Sequence, residues 1–410
     1  MESCIIYQDE SKTISVIDVP RSIELAQGQP TTDGGVQRVI LSSDPLEKPY
    51  PSVEPKSAKA LSRLEPPPLS DLVLRRYIQL ALEKLRETHQ GPCHLPRFTA
   101  GGWSGGKRKR EHQHEHELEQ KHEYEYENED SKETQVESSP RGDSNDIGVK
   151  INSIQYASRV CSPLYKNEGQ SPTYITCETR HRPALIPPKA TFLHGNIEDT
   201  LALFSQNAPQ FNLILMDPPW PNRSARRKGS YGTSYDSEAI NALLSSIPVK
   251  DHIEKDGIVA VWVTNKPAFR EMLLAEGGLF DQWGIALVEE WVWLKVTSSG
   301  EPICELHSTW RKPYELLLVG RRVHADAYVD AAPLESVTRR LLIAIPDLHS
   351  RKPNLKLLFE PLLKPDFAAL EIFARNLTTG WWAWGNEVLK FQTDEHLVQQ
   401  SVSSNTHLHR

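Results

Sequence analysis

The sequence predicts an α/β fold, a sheet with helices on both faces, preceded by a smaller N-terminal extension domain and a charged insert. Two observations carry this. From about residue 146 onward, short continuous apolar runs alternate with helix-patterned stretches, as expected of a sheet buried on both sides. Before that, residues 100 to about 145 read AGGWSGG, KRKR and EHQHEHELEQKHEYEYENED, almost free of aliphatics and unable to form a core. The expected organisation is an accessory domain at 1–99, a disordered linker at 100–145, a main domain at 146–395 and a flexible tail at 396–410.

In the accessory segment, ISVIDVP (14–20) and VQRVILSS (36–43) have the β-branched content of strands. Ser70 to Arg86 reads as a helix. Ser70 is its expected N-cap, and Leu72, Val73, Tyr77, Leu80, Leu82 and Leu85 recur at helical spacing. In the main domain the expected strands are 191–195, 211–216, 257–264, 315–320, 341–345 and 368–373. Helices are expected around 236–246, 267–276 and 353–363. In such sheets ligands bind beyond the carboxyl ends of the strands.

Composition narrows the class. A hydrophobic fraction of 38% with 30 prolines implies much loop content. Five scattered cysteines without C-x-x-C spacing suggest neither a disulfide framework nor a zinc site. No apolar run approaches the roughly 18 residues of a membrane span, and a secretory signal is not expected. A soluble intracellular chain is the expectation. The net charge of −7 looks wrong for a protein that handles a polyanion, but residues 111–133 alone hold a local net of −8. The remainder is close to neutral.

The sharpest feature is Asp217-Pro218-Pro219-Trp220, directly after the apolar run FNLILM. Two prolines fix the backbone and remove two N–H donors, so the carbonyls of this turn are free to accept. Methyl transfer to the exocyclic amine of a base suits this turn. The amine's lone pair is delocalised into the ring, and acceptors for both N–H hydrogens favour a pyramidal nitrogen. Asp217 and the Pro218 carbonyl take that role here, and Trp220 is expected to stack on a flipped-out base. No metal is needed for the chemistry.

From about residue 190 to 393 the chain resembles the eukaryotic N6-adenosine methyltransferase family defined by D-P-P-W, most closely its branch called methyltransferase-like protein four. The residues carrying the resemblance are Asp217 to Trp220, WLKVTSSGEP (293–302), RKPYELLLVG (311–320), SRKPN (350–354) and LEIFARNLTTGWWAWGNEVLKF (370–391). It implies a permuted, Rossmann-like methyltransferase sheet with S-adenosylmethionine as cofactor. By that resemblance Asn196 and Ile197 contact the cofactor's adenine, and Asp217 also faces the methionine amino group. Lys352 pairs with the methionine carboxylate, Phe373 and Arg375 line the site, and Asn386 and Glu387 bond the ribose hydroxyls. An acid and an amide suit a diol, and a lysine suits a carboxylate. The chain departs from RNA-writing relatives at Asn376-Leu377-Thr378, where they have His-Asn, and at Glu387, where they have an amide.

Substrate-facing candidates are Asn222, Arg223, Arg226, Arg227, Lys228, Tyr231 and Tyr235 in PNRSARRKGSYGTSY, a basic stretch beside the catalytic turn. Arg311 and Lys312 form a second, weaker surface. Trp381, Trp382 and Trp384 are expected to pack under the cofactor loop rather than read bases. The His112–His116 stretch reads as a solvated tail. Lys107-Arg108-Lys109-Arg110 has the pattern of a nuclear import signal, so a nuclear location is favoured over a cytoplasmic one. The expected acceptor is adenine in RNA, including a 2′-O-methylated adenosine of small nuclear RNA, ahead of DNA. The chain is expected to act without a second methyltransferase subunit. The competing readings are a non-catalytic RNA-binding partner subunit and an N4-cytosine methyltransferase. The intact acid argues against the first and the downstream blocks against the second.

Overall fold

The computed structural model describes residues 3–28, 36–51, 66–99, 158–160, 162–177, 182–221, 237–308, 311–323 and 337–401. The expected charged insert, with 107–110 and 112–116, lies outside the described residues.

An eleven-stranded sheet forms the centre. In chain order its strands are β1 (Ile5–Gln8), β2 (Ile14–Ile17), β3 (Leu164–Lys166), β4 (Thr191–His194), β5 (Phe211–Met216), β6 (Ile253–Val263), β7 (Ile285–Lys295), β8 (Tyr314–Arg322), β9 (Thr338–Ala344), β10 (Ala369–Ile372) and β11 (Trp382–Gly385). Their spatial order is β1-β2-β9-β7-β8-β6-β5-β10-β11-β4-β3. Pairing is mostly parallel; β8 runs antiparallel to both β6 and β7. At the centre, β5 pairs in parallel with β6 and with β10, and every residue of FNLILM is buried. That explains its unbroken apolar run.

The helices divide between the faces. Those labelled here are α1 (Val19–Ala26), α2 (Leu69–Thr88), α3 (Ile197–Asn207), α4 (Ser237–Ser246), α5 (Pro267–Leu274) and α6 (Leu279–Trp283). Ile214 and Met216 of β5 pack with Ile197, Phe204, Leu243, Phe269 and Phe280, which belong to α3 through α6. Leu213 and Leu215, one pleat away, share a core with Val19 and Ile23 of α1 and with Phe359. Helix α2 buries Leu74, Ile78, Ala81, Leu82 and Leu85 against Val16, Val292 and Leu341.

Several elements differ from the expectations. The ISVIDVP stretch is strand only to Ile17. Asp18 then caps α1, its carboxylate accepting the Arg21 N–H at 2.9 Å, and Pro20 sits in the first turn, where no N–H is needed. Helix α2 begins at Leu69 after Pro68 with no side-chain cap, so Ser70 lies inside the first turn. The 353–363 helix reduces to Lys356–Phe359 and a 3₁₀ turn at Glu360–Leu362, which contains Pro361. The segment expected to form an accessory domain contributes β1 and β2 to the main sheet, β2 lying parallel to β9. Residues Leu397–Ser401, expected in a flexible tail, pair antiparallel with Val36–Ser42. Trp381 and Trp384 are buried and Trp382 is half-buried, in line with a packing role.

Candidate active site

The carboxyl ends of β5, β10 and β11, three adjacent parallel strands, present the acid and its partners together. Asp217 is the first residue beyond β5, and its N–H donates to the Ile372 carbonyl at the end of β10 at 3.3 Å. Phe373 follows β10 in the left-handed region at φ +59°, held by its N–H to the Trp384 carbonyl at 2.7 Å. Gly385 must be glycine. Its φ is +147°, and a Cβ there would stand 3.2 Å from the Phe373 Cα.

Charges alternate along this rim. Arg375 Nη1 donates to Asp217 Oδ2 at 2.8 Å, and its Nε donates to Glu387 Oε2 at 3.0 Å. Lys352 Nζ lies 3.4 Å from Asp217 Oδ1, donates to Glu315, and stands 5.0 Å from the Trp262 ring centre. Lys295 closes the other side of Glu315 at 2.6 Å, and Lys390 the other side of Glu387 at 2.8 Å. Burial opposes the charge on Lys352, but Asp217 and Glu315 outweigh it and make the ammonium more basic than an ordinary lysine. Burial likewise opposes ionisation of Glu315, yet Lys295 and Lys352 hold its carboxyl far below the usual range. Glu387 is lowered too, Lys390 and Arg375 overcoming its burial.

Glu371 behaves oppositely. On β10 it is in register with Leu215, so it stands on the Asp217 face of the sheet, one pleat below that acid. Burial, reinforced by the charge of Asp217 and only partly offset by Arg375, pushes its carboxyl up to about 8. Asp217, Lys352, Glu371, Phe373 and Arg375 line one cleft with Trp262, Ser350, Asn354, Asn376 and Phe391.

Glu315 and Glu371 were not among the sequence candidates. Their signal is a single acid in an otherwise apolar strand, ELLLVG and AALEIF.

The remaining candidates divide. Asn386 Nδ2 reaches Asn196 Oδ1 at 3.4 Å, so the residues after β11 and β4 meet. Ile197 puts its side chain in the core. Arg311 and Lys312 lie outside the cleft. Arg311 sits over the Tyr50 ring at 5.6 Å, just before β8. Asn222, Arg223, Arg226, Arg227, Lys228, Tyr231 and Tyr235 lie outside the described residues.

Trp220 requires a correction. It is 7% exposed, its ring stacks on Phe269 with centroids 4.8 Å apart, and its Nε1 donates to the Trp262 carbonyl at 2.7 Å. A ring docked this way presents no open face to a base; burial and a satisfied indole N–H hold it in the core. The turn also uses one of its own acceptors, since the Pro218 carbonyl takes the Trp220 N–H at 2.8 Å. One lone pair of that oxygen remains.

Comparison with known proteins shows the family. The model of the MT-A70 family matches residues 211–387, the span from β5 to Glu387. The chain is 37% identical over 402 residues to a protein of Cryphonectria parasitica named N6-methyladenosine RNA methyltransferase MTA1, covering 96% of this chain and 94% of that one. This chain belongs to the MT-A70 family. Within it, the chain is 36% identical over 219 residues to human N(6)-adenine-specific methyltransferase METTL4, spanning 52% of this chain and 45% of the relative. A Caenorhabditis elegans protein named DNA N6-methyl methyltransferase is 30% identical over 220 residues, 53% of this chain and 56% of the relative. The expected likeness to the methyltransferase-like protein four branch of this MT-A70 family is therefore borne out. So is the mixed α/β, mostly parallel sheet.

Proposed function

We propose that this MT-A70 protein is an enzyme that transfers a methyl group from S-adenosylmethionine to the exocyclic N6 of adenine in RNA. The observation that carries the reading is the meeting of Asp217 with Lys352 and Arg375 at the strand ends, where the fold binds ligands.

The donor set fits the cofactor. Lys352 suits its carboxylate, Asp217 its ammonium, and Glu387 with Asn386 a ribose diol. Asn376 Nδ2 lines the same cleft and is buried without a partner among the described residues, so it is available to a polar ligand atom. When bound, the cofactor supplies a methyl group made electrophilic by its sulfonium. The protein's part is positional and electrostatic: Asp217 and the remaining Pro218 lone pair accept the two amine hydrogens and orient the nitrogen.

RNA is favoured because the similarity to the relative named an RNA methyltransferase runs nearly end to end, whereas that to the relative named for DNA covers half the chain. A 2′-O-methylated adenosine of small nuclear RNA belongs to the same reading. So do action without a second subunit and a nuclear location through Lys107–Arg110. Incubation with labelled S-adenosylmethionine and matched RNA and DNA oligonucleotides, then nucleoside analysis, tests it. Label in N6-methyladenosine supports the reading; label only in deoxyadenosine overturns the choice of RNA.

A further inference from the structure

Helix α1 lies outside the cleft, yet it ties down both loops from which the cleft's cations project. Ser22, 2% exposed, donates its hydroxyl to the Val19 carbonyl at 2.6 Å and accepts the Asn354 backbone N–H at 2.9 Å. Because the hydroxyl proton is committed to Val19, the oxygen's lone pairs are left to Asn354. Asn354 is two residues beyond Lys352, in a stretch that is itself neither helix nor strand and that has Ser350 at φ +64°. A serine kept in the left-handed region needs neighbours that enforce it.

The second loop, after β10, carries Arg375. The Ala26 carbonyl at the end of α1 accepts its Thr379 N–H at 2.7 Å. The two loops are also joined directly, Asn354 Nδ2 donating to Thr378 Oγ1 at 2.8 Å. An element from the first 30 residues thus fixes the backbone beneath both Lys352 and Arg375.

We propose that Ser22 is a positioning residue for cofactor binding: by holding the Asn354 amide it sets the loop that presents Lys352 to the cofactor carboxylate. This rests on the functional reading above. It also gives the N-terminal segment a defined part in the site, which sheet membership alone would not.

The test uses the full chain carrying Ser22→Ala, with Tyr77→Phe as the control. Tyr77 bonds the Arg339 carbonyl from α2, so that control loses one hydrogen bond away from the cleft. Amide hydrogen exchange of peptides covering 350–356 and 376–381 is measured without cofactor. Calorimetry then measures S-adenosylmethionine affinity, and kcat is taken at saturating cofactor. Ser22→Ala should speed exchange in both loops and weaken cofactor binding about five- to tenfold, while kcat stays within about twofold. The control should leave affinity and loop exchange unchanged. A folded Ser22→Ala chain with wild-type affinity, or with lowered kcat and unchanged affinity, overturns the proposal. If Ser22→Ala does not fold, Ser22→Cys, which keeps a side chain of similar size but offers the Asn354 N–H only a weak sulfur acceptor, is held to the same outcomes. A wild-type chain that binds no cofactor sinks the functional reading and this proposal with it. Wild-type binding with an unaffected variant sinks the positioning role alone.

Discussion

The guanidinium of Arg375 joins Asp217, at 2.8 Å, to Glu387, at 3.0 Å, so the expected catalytic acid and the expected ribose-binding acid share one cation. Lys352 takes the other Asp217 oxygen. Both acceptor atoms of the acid are therefore engaged in the chain by itself. A cofactor carboxylate drawing Lys352 toward itself would leave Asp217 Oδ1 to the target amine.

Lys352→Ala should weaken S-adenosylmethionine binding by at least about tenfold, because a charge-assisted contact to a carboxylate is among the stronger hydrogen bonds. It also leaves the half-buried Glu315 with Lys295 as its remaining cation, so the thermal midpoint should fall. Titration calorimetry and a melting curve measure the two effects; unchanged affinity in a folded variant would remove Lys352 from the cofactor site.

Trp220→Phe should lower stability and turnover together without a selective loss of nucleic-acid affinity. The phenyl ring can keep the stack on Phe269 but cannot donate to the Trp262 carbonyl, the loss of a buried hydrogen bond contributing about 0.5–1.5 kcal/mol. Melting curves and filter binding check it. A variant of normal stability that binds RNA weakly would restore the base-stacking role.

Glu371→Gln should gain stability over wild type as pH rises. The folded carboxyl sits near 8, well above an ordinary glutamate, so between the two values the folded chain holds a proton that the unfolded chain has released. That contribution is fully present at low pH and is lost as pH climbs through about 8. Melting midpoints of both proteins across pH 5 to 9 should diverge and then level off. Parallel curves would mean Glu371 titrates normally.

Which parts of the molecule could be read from the chain depends on how locally each is determined. β5 was legible because a strand buried on both faces needs only apolar residues. β7 was not, because Glu289 and Glu290 interrupt its run. Their charges are met by Arg340, Arg270 and Arg339 from other elements. The switch from strand to helix at Asp18 depends on a cap that also looks like the end of a strand. In the site, Asp217, Lys352, Arg375 and Glu387 were marked by their motifs, and the structure brings them together. Trp220 stands in the same motif, but its role is decided by Phe269 and the Trp262 carbonyl, more than 40 residues away. Glu315 and Glu371 gain meaning only once the strands are set side by side.

The most direct test compares wild type with Asp217→Ala under saturating labelled S-adenosylmethionine and an adenosine-containing RNA, with both proteins shown to be folded. Wild type should form N6-methyladenosine, and the variant should do so about a hundred- to a thousandfold more slowly, the effect of losing one oriented acceptor in the transition state. Cofactor affinity should fall less than that. Near-normal methylation by Asp217→Ala would make the Asp-Pro-Pro-Trp turn structural and contradict the account at its centre.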